Sequence, residues 1–148
     1  FSAPKEGERI TIRYNNNVIL PNVTASLEQV RSITADVLVK EAEQILVDVD
    51  GQILVNEDSV NNSATIIENV SSQITNLLNT SRLGSTVDYS DIVSAATSVN
   101  GVDSINISKF NVSGESGKKS FIRSLDNQTI SAGTILFESV TRENFRLT

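Results

Sequence analysis

The stretch Val60–Ile107 constrains the fold most, because it predicts a helix, a turn, a short helix, a glycine turn and a strand in direct succession. The apolar residues of the first helix recur at steps of three and four: Val60, Ala64, Ile67, Val70, Ile74, Leu77 and Leu78. This spacing is typical of one helix face and not of a strand. We expect Ser59 or Ser63 to cap its start, with Asp58 near the positive end, and the helix to end near Thr80.

A shorter helix and a strand complete this stretch. Asp88 or Ser90 is the expected N-cap, and the inward residues are Ile92, Val93, Ala96 and Val99. Asn100 and Gly101 tolerate the left-handed backbone that often ends a helix. Ile105 and Ile107 then alternate with polar neighbours, which predicts a half-buried strand.

The N-terminal part of the chain shows weaker patterns. Alternation at Ile10, Ile12 and Tyr14 predicts a short strand, a brief helix is expected from Ser26 with Leu27 and Val30 inward, and Thr34–Val39 predicts a second strand. We interpret residues 1–30 as the end of a preceding domain or a linker, and residues 31–148 as one α+β domain. The chain opens with Phe1 and contains no Met, so we expect it to be a piece of a longer protein.

The run Ile45–Val55 is rich in β-forming residues and contains Asp50-Gly51. Asp-Gly favours a two-residue hairpin turn, whereas a glycine inside one strand marks a bend or bulge. Only four residues separate Gly51 from the helix signals. We therefore favour a single bent strand.

The remainder predicts a β-rich C-terminal tail. Phe110 and Val112 share a face only if a bulge lies near Ser108, and Ser113–Ser120 is expected to be an exposed loop. The other expectations are a hairpin formed by Phe121–Leu125 and Thr129-Ile130, a break at Ala132-Gly133, a strand over Thr134–Val140 and an edge strand at Phe145 and Leu147. The predicted fold class is α+β, a mixed β-sheet with a long and a short helix packed on one face.

Composition excludes several function classes. The 148 residues include no Cys and no His, so disulfide scaffolds, Cys/His zinc sites and Ser-His-Asp triads are excluded. No apolar run reaches the length of a membrane span, and no signal peptide is visible. The net charge is −6, and Asp36–Glu68 holds eight acidic residues and one basic residue. Nucleic-acid binding needs a basic face and is not expected.

Two motifs suggest ligand chemistry, and each departs from the pattern that its ligand requires. Asp48, Asp50, Gly51 and Glu57 match four positions of an EF-hand calcium loop, but Leu46 stands at the first ligand position and the preceding sequence is β-rich. The segment Gly114–Ser120 has two residues between its glycines, where a phosphate-binding loop requires four. No catalytic, cofactor-binding or metal-binding residue is therefore predicted, and we expect no enzyme.

Asn-x-Ser/Thr sequons leave a glycosylated surface protein as an alternative. They begin at Asn22, Asn61, Asn69, Asn79, Asn106, Asn111 and Asn127. Because the chain is rich in Asn, Ser and Thr, composition alone explains them better. The apolar stripe of the main helix also permits two interpretations, a core face or a subunit interface. We expect Ile67→Ala to cost about 2–5 kcal/mol if Ile67 is a core residue.

The order of three segments resembles the C-terminal part of the J-like baseplate wedge proteins of contractile-tailed bacteriophages. The segments are RSITADVLVKEA at 31–42 with the ILVDV run, LGSTVDYSDIV at 83–93 after the long helix, and NGVDSINI at 100–107. The matching residues are Arg31, Thr34, Val37 and Val39, then Gly84, Val87, Ser90 and Ile92, and then Gly101 and Val102. The resemblance covers about residues 30–112.

The resemblance implies a structural wedge component of a contractile tail baseplate. It implies contacts with other copies of itself and with other wedge proteins in a ring around the tail hub. The expected location is the virion, after assembly in the host cytoplasm, with no cofactor, nucleic acid, membrane or small-molecule substrate. The alternative function is an extracellular adhesin or glycan-binding module.

Overall fold

The structure, a computed structural model, describes residues 19–30 and 38–145. The elements are helix α1 (Ile19–Val30), strand β1 (Glu43–Val55), a 3₁₀ helix (Glu57–Asn62), α2 (Ser63–Asn79), β2 (Thr86–Asp88), α3 (Tyr89–Thr97), β3 (Val102–Val112), β4 (Phe121–Arg123) and β5 (Gln128–Val140). They fall into two compact units, Phe1–Glu41 and Ala42–Thr148. The boundary predicted after residue 30 stays a prediction.

The first unit is described chiefly by α1. This helix begins at Ile19, earlier than the predicted start at Ser26, because Pro21 is compatible with a first helical turn, where no N–H is needed. Leu27 is half-buried, whereas Val30 is exposed, contrary to the prediction. Leu38 and Val39 are not in a strand. The rest of the predicted strand Thr34–Val39 and the strand at residues 10–14 lie outside the described residues. Of the predicted C-terminal edge strand, Phe145 is not in a strand and Leu147 lies outside the described residues.

The second unit is a mixed three-stranded sheet with helices packed against it, which confirms the α+β prediction. The strand order is β3-β1-β5. The central strand β1 pairs antiparallel with β3 and parallel with β5. Helix α2 packs chiefly on β5, α3 packs on β3, and the two helices contact each other. The apolar core therefore lies between the two helices and one face of the sheet.

Strand β1 continues through Gly51 as one strand and is not a hairpin. Asp50 pairs with Lys109 and Gly51 pairs with Ile107, so Ser108 is the extra residue of a bulge on β3. The prediction of a single strand and the prediction of a bulge near Ser108 are both confirmed. A Cβ on Gly51 would lie 2.5 Å from the Asn106 carbonyl oxygen, so glycine is needed where the strands approach most closely.

The C-terminal strands differ from the predicted hairpin. Strand β4 pairs with β2 in a separate two-stranded sheet, whereas β5 pairs with β1. Ala132-Gly133 does not break β5. Val47 pairs with Ala132 and Val49 with Ile135, so β5 carries one extra residue there. A glycine inside a strand can indicate either a break or a bulge, and at Gly133 it indicates a bulge.

The buried stripe of α2 confirms the prediction at Val70, Ile74 and Leu78 and differs from it toward the start of the helix. Its buried residues are Ile66, Val70, Ile74 and Leu78. Val60 is exposed in the 3₁₀ helix, Ala64 is exposed, and Ile67 is only half-buried against the core. Steps of four follow a single ridge of the helix, and the sequence shows an apolar residue at both 66 and 67, so spacing alone did not choose between them.

The ends of the helices agree with the predictions at two of four places. The expected caps Ser59 and Ser63 are wrong, because the 3₁₀ helix leads into α2 and Asn62 occupies the N-cap position. The end near Thr80 is confirmed. Asp88 caps α3, and its backbone N–H donates to Asp91 Oδ2 at 2.9 Å. The predicted end of the short helix at Asn100-Gly101 is wrong, because α3 ends at Thr97 with Ser98 as its C-cap. Gly101 has φ of 97° and precedes β3.

Neighbouring isoleucines on α2 test this assignment of the core. Ile66→Ala is expected to lower the free energy of unfolding by about 2–5 kcal/mol, because it removes a buried side chain and leaves a cavity. Ile67→Ala removes the same atoms from a half-buried site and is expected to cost about 1 kcal/mol. Urea denaturation measures both. Equal losses, or a larger loss at Ile67, would contradict the assignment.

Gly51 supplies a second test. Gly51→Ala is expected to lower the free energy of unfolding by about 3 kcal/mol or more, because the new methyl group meets backbone atoms of β3 that cannot move independently. Gly114→Ala is the control. Gly114 also has positive φ, but a Cβ there has no atom within 4 Å, so the expected cost is about 1–2 kcal/mol. A Gly51 variant as stable as the Gly114 variant would refute the close approach.

Candidate functional site

The acidic residues of β1 lie on the sheet face that the helices do not cover. Val47 and Val49 point into the core, and alternation places Asp48 and Asp50 on the opposite side. The residues of β3 and β5 that pair with this part of β1 place further side chains on the same face of the sheet. We call this surface the open face; it comprises Asp48, Asp50, Gln52, Asn106, Lys109, Asn111, Leu136 and Glu138.

Asp48 connects the central strand to both of its neighbours. Its Oδ1 accepts a hydrogen bond from the backbone N–H of Thr134 on β5 at 2.9 Å. Its Oδ2 accepts one from Lys109 Nζ on β3 at 3.1 Å. The Asp48 side chain is only 5% exposed. The carboxylate is therefore buried and paired on both oxygens, as a buried charge must be.

The bulge in β5 makes room for this carboxylate. A Cβ on Gly133 would lie 2.6 Å from Asp48 Oδ1. The extra residue also turns the Thr134 N–H toward β1, where Asp48 accepts it. Gly133 is thus required by the contact and not by a chain break.

The pKa values of this pair move in opposite directions. The Thr134 N–H, with help from Lys109, lowers the pKa of Asp48 although burial opposes this change. The hydrogen bond to Asp48 raises the pKa of Lys109, and Asp50, with its Oδ2 3.7 Å from Lys109 Nζ, adds to the increase. Both groups are therefore charged at neutral pH.

A shallow depression of about 690 Å³ lies beside this cluster. It is lined by Asp50, Gly51, Gln52, Asn106, Ser108, Leu136, Glu138 and Asn144. Asp50 Oδ1 is buried and has no hydrogen-bond partner among the described residues. The depression thus offers carboxylate, amide and hydroxyl groups to a polar partner.

The residues considered for calcium do not form a loop. Asp48, Asp50 and Gly51 lie within β1, and Glu57 begins the 3₁₀ helix. Asp48 is already bonded to Lys109 and Thr134. Within residues 19–30 and 38–145, no group of three or more Asp, Glu, His or Cys side chains could hold a metal ion.

The glycine-containing segment at residues 113–120 is exposed, as predicted, and lies against the outer edge of β3. Lys118 forms an isolated bridge with Phe110, and the Lys119 N–H donates to the Phe110 carbonyl at 2.7 Å. Lys118 Nζ lies 4.7 Å from the centre of the Tyr89 ring, within the range of a cation–π contact. These contacts make the segment a cover for one end of β3.

Two of the seven sequons are buried. Asn106 and Asn111 both lie on β3 with little exposed surface, so a glycan cannot be attached there in the folded unit. Asn79 is exposed, but its Oδ1 accepts the Ala132 N–H. This burial agrees with the compositional explanation of the sequons.

Sequence reasoning missed an apolar surface around the small sheet. Leu83, Phe121 and Leu125 are 55%, 52% and 64% exposed, and we call them the apolar margin. The Gly84 N–H donates to the Leu125 carbonyl at 3.1 Å, which brings the turns containing Leu83 and Leu125 together. The sequence signals for this surface are Leu83-Gly84 and Leu125-Asp126. In such turns an apolar residue has no strand or helix to bury it.

No protein-family model matches this chain, and no curated protein is significantly similar to it. In the part of the chain that the structure describes, no helix is long and apolar enough to cross a membrane.

The charged cluster predicts a defined dependence of stability on pH. The folded-state pKa of Asp48 lies below its ordinary value of 3.8, so its contribution is complete above that value and is lost as the pH falls through the folded pKa. Asp48→Asn removes the contribution and is expected to lower the free energy of unfolding at pH 7 by about 2 kcal/mol.

Urea denaturation between pH 7 and pH 3 measures this effect. The difference between the wild type and Asp48→Asn is expected to shrink below about pH 4, since protonation removes the same charge from the wild type. Asp58→Asn, at an exposed position of the 3₁₀ helix, is the control and should change little. A constant difference across the whole range would contradict the role of Asp48.

Proposed function

We propose that this chain is a structural component of a contractile phage tail baseplate and acts in wedge and ring assembly through protein–protein contacts. The observation that carries the proposal is the placement of the residues behind the family resemblance. Gly84 and Gly101 have positive φ, and Val87 and Ile92 are buried. These are positions at which the backbone or the core restricts the residue type.

The order of elements supports the same proposal. The resemblance implies two successive strands, the first of which opens after the Arg31–Thr34 segment, then a helix, a glycine-containing loop, a short helix and a strand that starts at Gly-Val. From the second strand onward the described chain follows that order, with β1, α2, the turn at Gly84, α3 and then β3 immediately after Gly101. Leu38 and Val39 of the expected first strand are not in a strand. An agreement of fold is compatible with many functions, so the experiment must examine assembly directly.

The surface of the second unit suits a role in contacts. The apolar margin provides exposed apolar side chains, which mark interaction sites when they occur together. The polar residues of the open face that reach the surface are Asp50, Gln52, Lys109 and Glu138. They supply charges and an amide, which favour one partner and orientation over others. Both kinds of surface are on the same compact unit, so one unit can contact more than one neighbour.

A substitution in the apolar margin tests the proposal in the assembling particle. Leu125→Glu, introduced into the gene in its source organism, is expected to reduce the amount of this protein in purified contractile particles about tenfold, because a charge replaces apolar contact area. Gln73→Glu adds the same charge on the exposed side of α2 and is expected to leave incorporation unchanged. Mass spectrometry of the particles measures both.

Electron microscopy of the wild-type particle gives the decisive outcome. Density for this chain repeated around the tail hub would support the proposal, and particles that lack the chain would refute it. A glycan pull-down with the isolated chain addresses the alternative function. A specific sugar retained by the chain would favour an adhesin or glycan-binding module.

A further inference from the structure

The backbone hydrogen-bonding groups at the two outer edges of the sheet, β3 and β5, are covered to different extents. At β3, the bulge at Ser108 interrupts the edge, and the Lys119 N–H and the bridge at Lys118 occupy Phe110. Bulges and covering segments are the means by which proteins block unwanted strand pairing. The β3 edge is therefore protected over its C-terminal end.

The first half of β5 is protected by the end of α2. Ser81 Oγ donates to the Ile130 carbonyl at 3.0 Å, and Asn79 Oδ1 accepts the Ala132 N–H at 2.9 Å. These bonds show that Ile130 and Ala132 turn their backbone groups away from β1. The side chains of Asn79, the last residue of α2, and of Ser81, just after the helix, take the place of a further strand along this half.

The second half of β5 has no such cover. The bulge adds one residue and turns the Thr134 N–H toward Asp48 on β1. Since backbone groups alternate along a strand, those of Ile135, Phe137 and Ser139 then face outward. Among the described residues, no hydrogen bond or strand pairing occupies this side. The segment Ile135–Val140 also lacks Lys, Pro and a bulge, so we call it the open edge.

We propose that the open edge binds the same segment of a second copy of this chain, antiparallel about a twofold axis centred on Phe137. In this register Ile135 faces Ser139 of the second copy and Phe137 faces its equivalent. Every outward-facing residue then exchanges two backbone hydrogen bonds with its partner. The two three-stranded sheets then join into one continuous sheet. This pairing gives the chain a surface for self-contact, and it rests on the proposed assembly role only for its biological purpose.

Charge and the regularity of the strand favour this register over its two neighbours. Leu136, which is 60% exposed, faces Glu138 of the second copy, and no like charges stand opposite each other. A register centred on Glu138 would place two carboxylates face to face, which destabilises a strand pair. A register centred on Leu136 would leave the outward groups of Ser139 opposite the bulge at Gly133, where β5 is irregular.

Opposite charges at position 136 test the proposal in the complete 148-residue chain. Leu136→Glu places a second carboxylate across from Glu138 and is expected to weaken self-association about tenfold or more. Leu136→Lys places a cation at the same exposed site and is expected to associate at least as tightly as the wild type. Sedimentation velocity over a range of concentrations measures association, and circular dichroism verifies that each variant is folded.

Each outcome decides the proposal. A dimer that is weakened by Leu136→Glu and retained in Leu136→Lys supports it, as does further weakening by Ser139→Pro, which removes an outward N–H. A wild-type chain that stays monomeric at submillimolar concentration overturns it, as do two charge variants that associate equally. Weakening by both charges overturns the Phe137-centred register, because it indicates that position 136 faces itself. None of these results depends on whether the chain occurs in a baseplate.

Discussion

The buried carboxylate of Asp48 is the interaction on which the arrangement of the sheet depends. It lies in the central strand and bonds to Thr134 on one neighbour and to Lys109 on the other. Burying a carboxylate costs much free energy unless its oxygens are paired. The position of Asp48 therefore depends on the bulge at Gly133, which brings the Thr134 N–H to it, and on the cation of Lys109.

The same bulge determines which part of the sheet is available to a partner. Before Gly133, outward backbone groups of β5 meet side chains from the end of α2. After it, the outward groups belong to Ile135, Phe137 and Ser139 and have no counterpart in the described chain. The bulge that accommodates the buried charge of Asp48 thus also divides β5 into a covered half and an open half. This division gives the proposed assembly function a definite contact surface.

The local parts of the fold could be predicted from the sequence, whereas the pairing of distant strands could not. The end of α2 near Thr80, the Asp88 cap and the continuity of β1 through Gly51 depend on neighbouring residues, and their signals are local. The pairing of β5 with β1 joins Ile45 to Ile130, and the sequence offered a nearer partner for Thr129-Ile130 in Phe121–Leu125. Proximity in the chain favoured a hairpin. In the structure, β5 instead pairs along one edge of β1, and β3 pairs along the other.

The candidate site shows the same limit. The acidic face of β1 was visible in the alternation of Asp48 and Asp50 with apolar residues, and this pattern led only to a rejected calcium loop. Lys109 could not be assigned to these acids, since the bulge at Ser108 determines where it points. The exposure of Leu83, Phe121 and Leu125 also depends on the separate β2–β4 sheet, which has no signal beyond two short strands.

The central claim is that the second half of β5 faces outward, open in the single chain and covered in the assembled one. Hydrogen exchange along β5 tests this claim most directly. The account predicts that the Leu136 and Glu138 amides, which face β1, exchange slowly at every protein concentration. The Ile135, Phe137 and Ser139 amides should exchange rapidly in dilute protein and become protected as concentration rises. Slow exchange of these three amides in dilute protein, or rapid exchange that concentration does not change, would contradict the account.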